Sequence, residues 1–271
     1  MRFLASVVQM TSTSDVAANL EQACALVERA ASHGARLVAT PENTNFLGPA
    51  ADKVACAEAL DGPTCTRFAG LAAQYRLHLL LGSFNERSEL PGKCRNTSVL
   101  FGPDGSILAV YRKIHLFDIE LSETVAYRES ETIEPGDRPV VAATELGTVG
   151  LSICYDLRFG NLYRRLVREG AEILLVPSAF TLTTGRDHWE PLLRARAIEC
   201  QSYVLAPAQS GKHDDPGLRE SFGHAMIVDP WGLVVAMAAD GPGIALAEID
   251  TSRVATIRRA IPVRRHDHPE L

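Results

Sequence analysis

The chain has 271 residues, of which 46% are hydrophobic and 22% charged, and its formal net charge is −6. This composition is typical of a globular protein that can bury a sizeable core without a metal or a disulfide. The sequence has no basic block, which argues against nucleic acid and an anionic membrane as partners. It also has no apolar run long enough to span a bilayer.

The cysteines are scattered and form no CxxC pair. They are Cys24, Cys56, Cys65, Cys94, Cys154 and Cys200. The N-terminal stretch is interrupted by Gln9 and is not typical of a secretory signal. We therefore expect reduced thiols and a cytoplasmic protein.

Strand and helix patterns alternate along the first third of the chain. An apolar run predicts a strand over residues 2–10, and an amphipathic pattern predicts a helix over residues 15–35. A short strand over 35–40 and a helix over 63–76 follow, the latter with proline near its start. Residues 77–86 predict a buried strand.

The middle of the chain adds two hairpins. Residues 97–115 and 140–154 each contain two apolar runs around a turn that includes glycine. Residues 161–171 predict a helix, 172–180 a strand and 188–201 a second helix, on which we expect Arg194 and Arg196 to be exposed.

The last third predicts a strand over 202–210, a hairpin over 224–239, a strand over 243–250 and a helix over 251–261, before a polar tail. No linker, repeat or low-complexity tract divides the chain, so we expect one domain over residues 1–271. Hairpins mixed with strand–helix units predict a layered α/β fold. Several strands are continuously apolar, which predicts sheets that are covered on both faces.

Three chemically complementary residues follow predicted strands. Glu42 follows the run that ends near residue 40, Lys113 follows the second strand of the first hairpin, and Cys154 follows the second strand of the next hairpin. In layered α/β folds, ligands bind where strands end at their carboxyl termini. We therefore expect a carboxylate, an ammonium and a thiol to meet in one site.

These three groups suffice for acyl transfer. A free thiol has a pKa of about 8.5, so it needs a base or a nearby cation to act as a nucleophile at neutral pH. Glu42 is the expected base, and Lys113 the cation expected to lower the pKa of Cys154. Lys113 and the backbone N–H of Tyr155 are the expected donors to the oxyanion.

The polar residues allow two other interpretations, a cysteine–histidine site and a metal site. A papain-type site would pair Cys154 with a histidine, but no local signature around Cys154 supports this pairing. His266 and His268 form the one close histidine pair, and no cysteine lies near them. A solvated tail is the better interpretation, and we expect no metal site.

Three segments resemble the signatures of the nitrilase superfamily of carbon–nitrogen hydrolases: PENTNFLG around Glu42, YRKIHLFD around Lys113 and GLSICYDLRF around Cys154. The resemblance extends over essentially the whole chain. It implies a four-layer α-β-β-α sandwich and a catalytic triad of Glu42, Lys113 and Cys154, without a cofactor. It also implies a second glutamate that orients the lysine, and Glu129 matches that position.

Downstream segments are similar to the Nit subgroup, which comprises deaminated-glutathione amidases and omega-amidases. The resemblance implies hydrolysis of a linear amide to a carboxylate and ammonia, with deaminated glutathione as the expected substrate. There are three alternatives. The first is an omega-amidase acting on alpha-ketoglutaramate, and the second is other nitrilase-type chemistry on a nitrile, carbamoyl or formamide group. The third is a non-catalytic binding or scaffold member. One departure is the polar stretch Asn43–Asn45 beside Glu42.

A substrate of the Nit type carries a carboxylate, which needs a cation in a partly dry pocket. Arg158 is the first candidate and Arg186 the second; an alternative partner for Arg158 is Asp156. Phe159 and Phe180 are the expected walls of the acyl pocket. Related enzymes pair helices across a homodimer, so we expect a dimer with part of its interface on the helix over 188–201.

Overall fold

Two β-sheets pack face to face in the computed structural model, which describes residues 1–122, 125–216 and 220–266. The strands, in chain order, are β1 Arg2–Met10, β2 Ala35–Ala39, β3 His78–Arg87, β4 Cys94–Phe101, β5 Ile107–Arg112, β6 Asp118–Ser122, β7 Val125–Arg128, β8 Val140–Thr144, β9 Gly147–Leu151, β10 Ile173–Leu175, β11 Tyr203–Ala206, β12 Ala208–Lys212, β13 Glu220–Phe222, β14 Met226–Val228, β15 Val234–Met237 and β16 Gly243–Asp250. The α-helices are α1 Val16–Ser32, α2 Ala50–Ala55, α3 Pro63–Tyr75, α4 Gly160–Arg168, α5 Leu182–Cys200 and α6 Thr251–Ala260.

The first sheet has the order β13-β12-β1-β2-β3-β4-β5, with β16 paired antiparallel to β1. The second sheet has the order β15-β14-β11-β10-β9-β8. Strands β6 and β7 form a separate hairpin. Because β2 and β3 are parallel while β3-β4 and β4-β5 are antiparallel, β2 and β5 run in the same direction and end at the same edge of the sheet.

Alternating side chains of the first sheet enter two different cores. Val7 and Leu80 point toward the second sheet, where they join Leu174 in the core between the sheets. Their chain neighbours, such as Val8 and Leu79, belong to a separate core that packs against α1 and α3. Helices α4 and α5 cover the outer face of the second sheet. The order of layers is therefore helix, sheet, sheet, helix, with both sheet faces covered as predicted.

The prediction of one strand over 202–210 is wrong. Strand β11 lies in the second sheet and β12 in the first, with Pro207 between them. Proline has no N–H to continue a ladder, so the chain leaves one sheet there and enters the other.

Other differences are confined to short elements and element ends. Helix α5 begins at Leu182, six residues before the predicted start, because the Thr181 side chain accepts a hydrogen bond from Thr184 N and caps it. On the same helix Arg196 is buried rather than exposed: its Nε donates to Leu157 O at 3.1 Å and its guanidinium lies over Tyr163. Helix α2, the β6-β7 hairpin and β13 were not predicted.

Among the described residues, no helix is both long and apolar enough to cross a membrane.

Candidate active site

A cavity of about 450 Å³ opens where β2 and β5 end. Seven of the nine candidate site residues line it: Glu42, Lys113, Glu129, Cys154, Tyr155, Arg158 and Phe180. The segments identified in the sequence therefore meet at one place, although Glu42 and Lys113 follow strands of the first sheet and Cys154 follows β9 of the second.

Glu42 is held by both of its carboxylate oxygens. Its Oε1 accepts hydrogen bonds from Lys113 Nζ and Asn96 Nδ2, each at 2.9 Å, and its Oε2 accepts one from the backbone N of Ala179 at 2.8 Å. The side chain is buried. These donors come from both sheets, so the position of the carboxylate depends on how the sheets pack.

Lys113 lies between two carboxylates. Its Nζ contacts Glu42 Oε1 at 2.9 Å and Glu129 Oε2 at 2.8 Å, and all three residues are buried. Burial by itself would lower the pKa of Lys113, but attraction by Glu129 and Glu42 outweighs burial and raises this pKa well above its usual value. Lys113 is therefore an ammonium, suited to stabilise an oxyanion but not to act as a base.

Glu129 faces Lys113 and not Arg112 or Arg128. Its Oε2 accepts from the backbone N of Phe117 at 2.6 Å in addition to Lys113. Arg112 pairs with Glu86 at 2.6 Å instead. Burial would raise the pKa of Glu129, but the charge and hydrogen bonds of Lys113 lower it below 4.5. Glu129 is therefore an anion that fixes Lys113.

Cys154 lies at the start of a 3₁₀ helix, Cys154–Arg158, directly after the segment that follows β9. Its backbone φ is +46°, in the left-handed region that residues with a Cβ rarely adopt. Such conformations cluster at functional sites because the surrounding fold must hold them. The N–H of Tyr155 lies in the first turn of this helix, where no acceptor of the helix itself is available.

The thiol of Cys154 is not ionised at rest, which corrects the expectation that Lys113 would lower its pKa below the ordinary value. Lys113 does act in that direction. Burial is the largest effect, however, and together with the negative charge of Glu42 it raises the pKa well above 9.0. The thiol must therefore lose its proton to a base when it attacks.

Asp156 orients this turn. Its Oδ2 accepts from Ile153 N at 2.8 Å and from Tyr111 Oη at 2.6 Å, and its Oδ1 accepts from His115 N at 3.1 Å. It is buried and does not pair with Arg158. The carboxylate therefore anchors the segment that carries Cys154.

Arg158 is partly exposed and lines the cavity. Its guanidinium lies 5.2 Å from the Phe180 ring centroid and 5.9 Å from that of Tyr155, and Nη1 is 3.3 Å from His188 Nδ1. Arg186, the second candidate, lines a different cavity with Gln9 and other residues.

The two phenylalanines differ in position. Phe180 is buried, lines the cavity and packs against Trp189 at 5.1 Å between ring centroids. Phe159 is partly exposed and is not among the cavity-lining residues within the described part of the chain. Its ring stacks on His115 at 3.7 Å and contacts Tyr155 at 5.4 Å. Phe159 therefore reaches the cavity only through Tyr155.

The polar stretch beside Glu42 is mostly structural. Thr44 and Asn45 are buried, and Thr44 Oγ1 donates to Pro41 O at 2.6 Å. Asn43 alone of the three lines the cavity, with φ of +57°. Of the residues that depart from the family signature, Asn43 is therefore the one at the cavity.

Among the residues of the cavity region that were missed in the sequence are three with polar side chains near Glu42 and Glu129 or on the cavity wall. Asn96 bridges Glu42 and Glu129 through its Nδ2, at 2.9 and 3.2 Å. Lys53 and Tyr127 line the cavity together. Asn96 lies inside an apolar strand, and a polar residue in such a strand is a signal that the sequence could have shown. Lys53 lies on a short helix that was not predicted, and the sequence contains no comparable signal for it.

No histidine of the described residues lines this cavity, which leaves Glu42 as the nearest base to Cys154. His115, the histidine closest in sequence to Lys113, bonds Asp156 Oδ1 at 2.7 Å through Nδ1. The Cys–His alternative therefore receives no support. His268 lies outside the described residues.

Residues 4–259 match the family model of the carbon-nitrogen hydrolases, and the chain belongs to that family. The deaminated glutathione amidase of Synechocystis sp. is 43% identical over 267 residues, which cover 97% of each chain. Human omega-amidase NIT2 is 38% identical over 269 residues, covering 99% of this chain and 96% of that protein.

The crystal structure of the C. elegans NitFhit protein matches with a TM-score of 0.93 and 40% identity. The match covers 98% of this chain, which spans 65% of that longer chain. The predicted nitrilase-type α-β-β-α sandwich and the class of carbon–nitrogen hydrolase acting on amides are both confirmed.

Proposed function

We propose that the protein is an amidase that cleaves deaminated glutathione through a thioester on Cys154. The observation that carries the proposal is the Lys113 ammonium, held between Glu42 and Glu129 at 2.9 and 2.8 Å in the cavity that Cys154 lines. A base, a fixed cation and a nucleophile beside one cavity are the groups that acyl transfer needs. The 43% identity to a deaminated glutathione amidase supports the substrate.

In the first half-reaction, Cys154 Sγ attacks the amide carbonyl carbon while Glu42 accepts the thiol proton. The carbonyl oxygen becomes an oxyanion, and Lys113 with the Tyr155 N–H donates hydrogen bonds to it. One such donor contributes about 3 to 4 kcal/mol to transition-state stabilisation. The intermediate then collapses: the C–N bond breaks, Glu42 returns its proton to the leaving nitrogen, and the thioester forms.

In the second half-reaction, water attacks the thioester carbon while Glu42 accepts a water proton. The second oxyanion is held by the same donors. Collapse breaks the C–S bond, the thiolate recovers the proton from Glu42, and the product leaves as a carboxylic acid. Glu42 serves as base and acid in turn, which is why its carboxylate must stay beside both the sulfur and the leaving group.

The leaving group depends on the substrate. Deaminated glutathione carries a five-carbon 2-oxo acyl chain on the nitrogen of cysteinylglycine, so its hydrolysis releases that amine and not the ammonia expected from the sequence. A primary amide with the same acyl chain, alpha-ketoglutaramate, releases ammonia. This shared acyl chain makes omega-amidase activity the second candidate, favoured by the 38% identity to human omega-amidase. A purely non-catalytic role would not require the complementary charges around Cys154.

Three further residues are proposed to contact the substrate, and a fourth to support one of them. Arg158 is the proposed cation for a substrate carboxylate, and Tyr155 supplies the oxyanion N–H. Phe180 is proposed as a wall of the acyl pocket. Phe159 is proposed to act indirectly, by supporting the ring of Tyr155 at 5.4 Å.

The deciding experiment is a substrate panel. Purified protein is given deaminated glutathione and alpha-ketoglutaramate, and release of the common 2-oxo acid is measured. Formamide, a nitrile and a carbamoyl amino acid are the controls, and their hydrolysis is measured as ammonia release. The proposal expects the highest kcat/KM for deaminated glutathione. A higher value for alpha-ketoglutaramate would establish the omega-amidase alternative, and activity on the control compounds alone would refute both.

We also propose that the protein works as a homodimer in a reducing cytoplasm, without nucleic acid or membrane as partners. All six cysteines are unpaired, in keeping with reducing conditions.

A further inference from the structure

The cavity contains a second buried lysine. Lys53 is the buried residue of the six-residue helix α2, and its side chain turns inward while its neighbours in the helix are exposed or half-buried. It lines the same cavity as Cys154. Its Nζ donates a long hydrogen bond, 3.5 Å, to the hydroxyl of Tyr127, which lines the cavity too.

The two lysines of the cavity have different partners. Lys113 contacts two carboxylates within 3 Å. Within the described part of the chain, the hydrogen bond of Lys53 is to a neutral hydroxyl, and Lys53 forms no salt bridge with a carboxylate. An ammonium has three donors, and a buried cation is stable only when an anion or several acceptors face it. Lys53 is therefore suited to an anion that enters the cavity.

Lys53 keeps its charge despite burial. Burial by itself would lower the pKa of Lys53, but the interaction with the Tyr127 hydroxyl and the negative charges of Glu129 and Asp215 outweigh burial and raise this pKa above its usual value. The side chain is therefore a cation at neutral pH. Glu129 is attracted by both Lys113 and Lys53, so the two lysines flank the same carboxylate electrostatically.

On the basis of the function proposed above, we propose that Lys53 and the Tyr127 hydroxyl bind the carboxylate at the far end of the substrate's acyl chain. In a five-carbon 2-oxo acid amide, that carboxylate lies four bonds from the scissile carbon, roughly 5 Å in an extended chain. The Tyr127 oxygen accepts from Lys53 and can donate its own proton to the carboxylate. Lys53 supplies the charge-assisted bond that a dry pocket makes strong.

Arg158 differs from Lys53 in its surroundings. It is partly exposed, stacked near Phe180 and Tyr155, and already 3.3 Å from His188 Nδ1. A cation at such a site is screened by solvent and salt. Arg158 therefore suits the second carboxylate of deaminated glutathione, which belongs to the leaving group and not to the acyl chain.

The test measures how Lys53→Met hydrolyses two amide substrates, an acid and its neutral analogue. The acid is alpha-ketoglutaramate, and the analogue is 4-oxopentanamide, in which a methyl group replaces the carboxylate. We expect Lys53→Met to lower kcat/KM for the acid by about 30-fold or more, mainly through KM, because a buried charge partner is lost. For 4-oxopentanamide the change should stay below about threefold. Lys212→Met, at an exposed position on β12, should leave both values unchanged.

Tyr127→Phe removes one oxygen. It should lower the ratio of kcat/KM for alpha-ketoglutaramate to kcat/KM for 4-oxopentanamide, by a smaller factor than Lys53→Met does. It carries the same test if Lys53→Met does not fold with the circular dichroism spectrum of the wild type. Arg158→Met should lower kcat/KM for deaminated glutathione but leave kcat/KM for alpha-ketoglutaramate unchanged.

Three outcomes would overturn the proposal, and they are distinguishable. An equal fall for both amides would mean that Lys53 only balances the charge of Glu129. Unchanged kcat/KM values for both amides in Lys53→Met, while the wild type hydrolyses the acid, would remove the subsite and leave the proposed function standing. If the wild type hydrolyses neither 2-oxo acid amide, the proposed function fails, and the subsite fails with it.

Discussion

Cys154 and Glu42 have to be treated as a pair. The thiol is buried beside an anion, so its pKa is raised, and one proton serves both groups during the reaction. This differs from a cysteine that is a thiolate before substrate arrives. The cation that the sequence suggests as an activator, Lys113, is already neutralised by Glu42 and Glu129. Of the two roles expected for Lys113, stabilising the oxyanion remains the proposed one, and ionising the sulfur is dropped.

The salt bridge of Glu129 predicts a defined pH dependence of stability. The pKa of Glu129 is lowered from 4.5, so its contribution is present above pH 4.5 and is lost as the pH falls through the folded-state value. The pKa of Lys113 is raised from 10.5, so its contribution is present below pH 10.5. We expect Glu129→Gln to lower the free energy of unfolding by about 3 kcal/mol at neutral pH.

Urea unfolding of the wild type and Glu129→Gln across pH measures this difference. It should be constant at neutral pH and should shrink below pH 4.5. Glu120→Gln, which removes an exposed carboxylate on β6, is the control and should change little. A difference between wild type and Glu129→Gln that persists undiminished into acid would contradict the assignment of Glu129 as the anion.

At the scale of elements, an irregularity in β3 positions Glu42. The pairing of β3 with β4 shifts register between Leu81 and Phe84. There, Gly82 N donates to Thr40 Oγ1 at 3.0 Å and Asn43 N donates to Ser83 Oγ at 2.8 Å. The bulge therefore holds both sides of the turn that carries the carboxylate.

Gly82 is the residue that allows this close approach. A Cβ at position 82 would lie 1.8 Å from Thr40 O and 2.4 Å from Pro41 O. We expect Gly82→Ala to displace the Glu42 turn, to destabilise the protein by about 1 to 3 kcal/mol and to reduce activity. Thermal unfolding and kcat/KM measure these effects.

Gly70→Ala is the matched control. Gly70 lies on α3, and a Cβ there would meet nothing within 4 Å. Since alanine favours helix over glycine, this variant should be neutral or slightly stabilising. If both variants behaved alike, the bulge would have no special role in placing Glu42.

The sequence predicted the elements in which a regular apolar pattern extends over many residues. The strands before Glu42, Lys113 and Cys154 were recognisable because continuous apolar runs end there in polar residues. General rules of α/β folds predicted that these strand ends converge. They did not predict the hydrogen-bond partners of the three side chains. Lys53 was missed because α2 has six residues, and a lysine among small residues usually lies in solvent. The switch of sheets at Pro207 depends on long-range packing, which periodicity does not encode.

For the whole molecule, a row of apolar side chains predicts how two copies associate. Trp231, Leu233, Val235 and Met237 are all exposed, at alternate positions along the β14-β15 hairpin, and Ile198 of α5 is exposed as well. Gly232 lies against Ile198, since a Cβ there would be 2.6 Å from its side chain. β15 is an edge strand of its sheet. An exposed apolar edge of this kind favours pairing with another copy.

We therefore expect a dimer in solution, with this row and α5 at its interface. Light scattering at micromolar concentration should give about twice the chain mass of 29.4 kDa. Trp231→Glu should shift the protein toward the monomer, because a charge would enter an apolar interface. Leu90→Glu, at an exposed apolar position before β4, should remain dimeric. A wild type that is monomeric throughout would contradict the expectation.

Trapping of the acyl group on Cys154 tests the central claim most directly. The wild type is mixed with deaminated glutathione, quenched in acid during turnover, digested and analysed by mass spectrometry. We predict one 2-oxo acyl group on the peptide that contains Cys154, its loss on treatment with hydroxylamine, and no adduct or activity in Cys154→Ala. Full activity in Cys154→Ala, or an acyl group on another residue, would contradict the account.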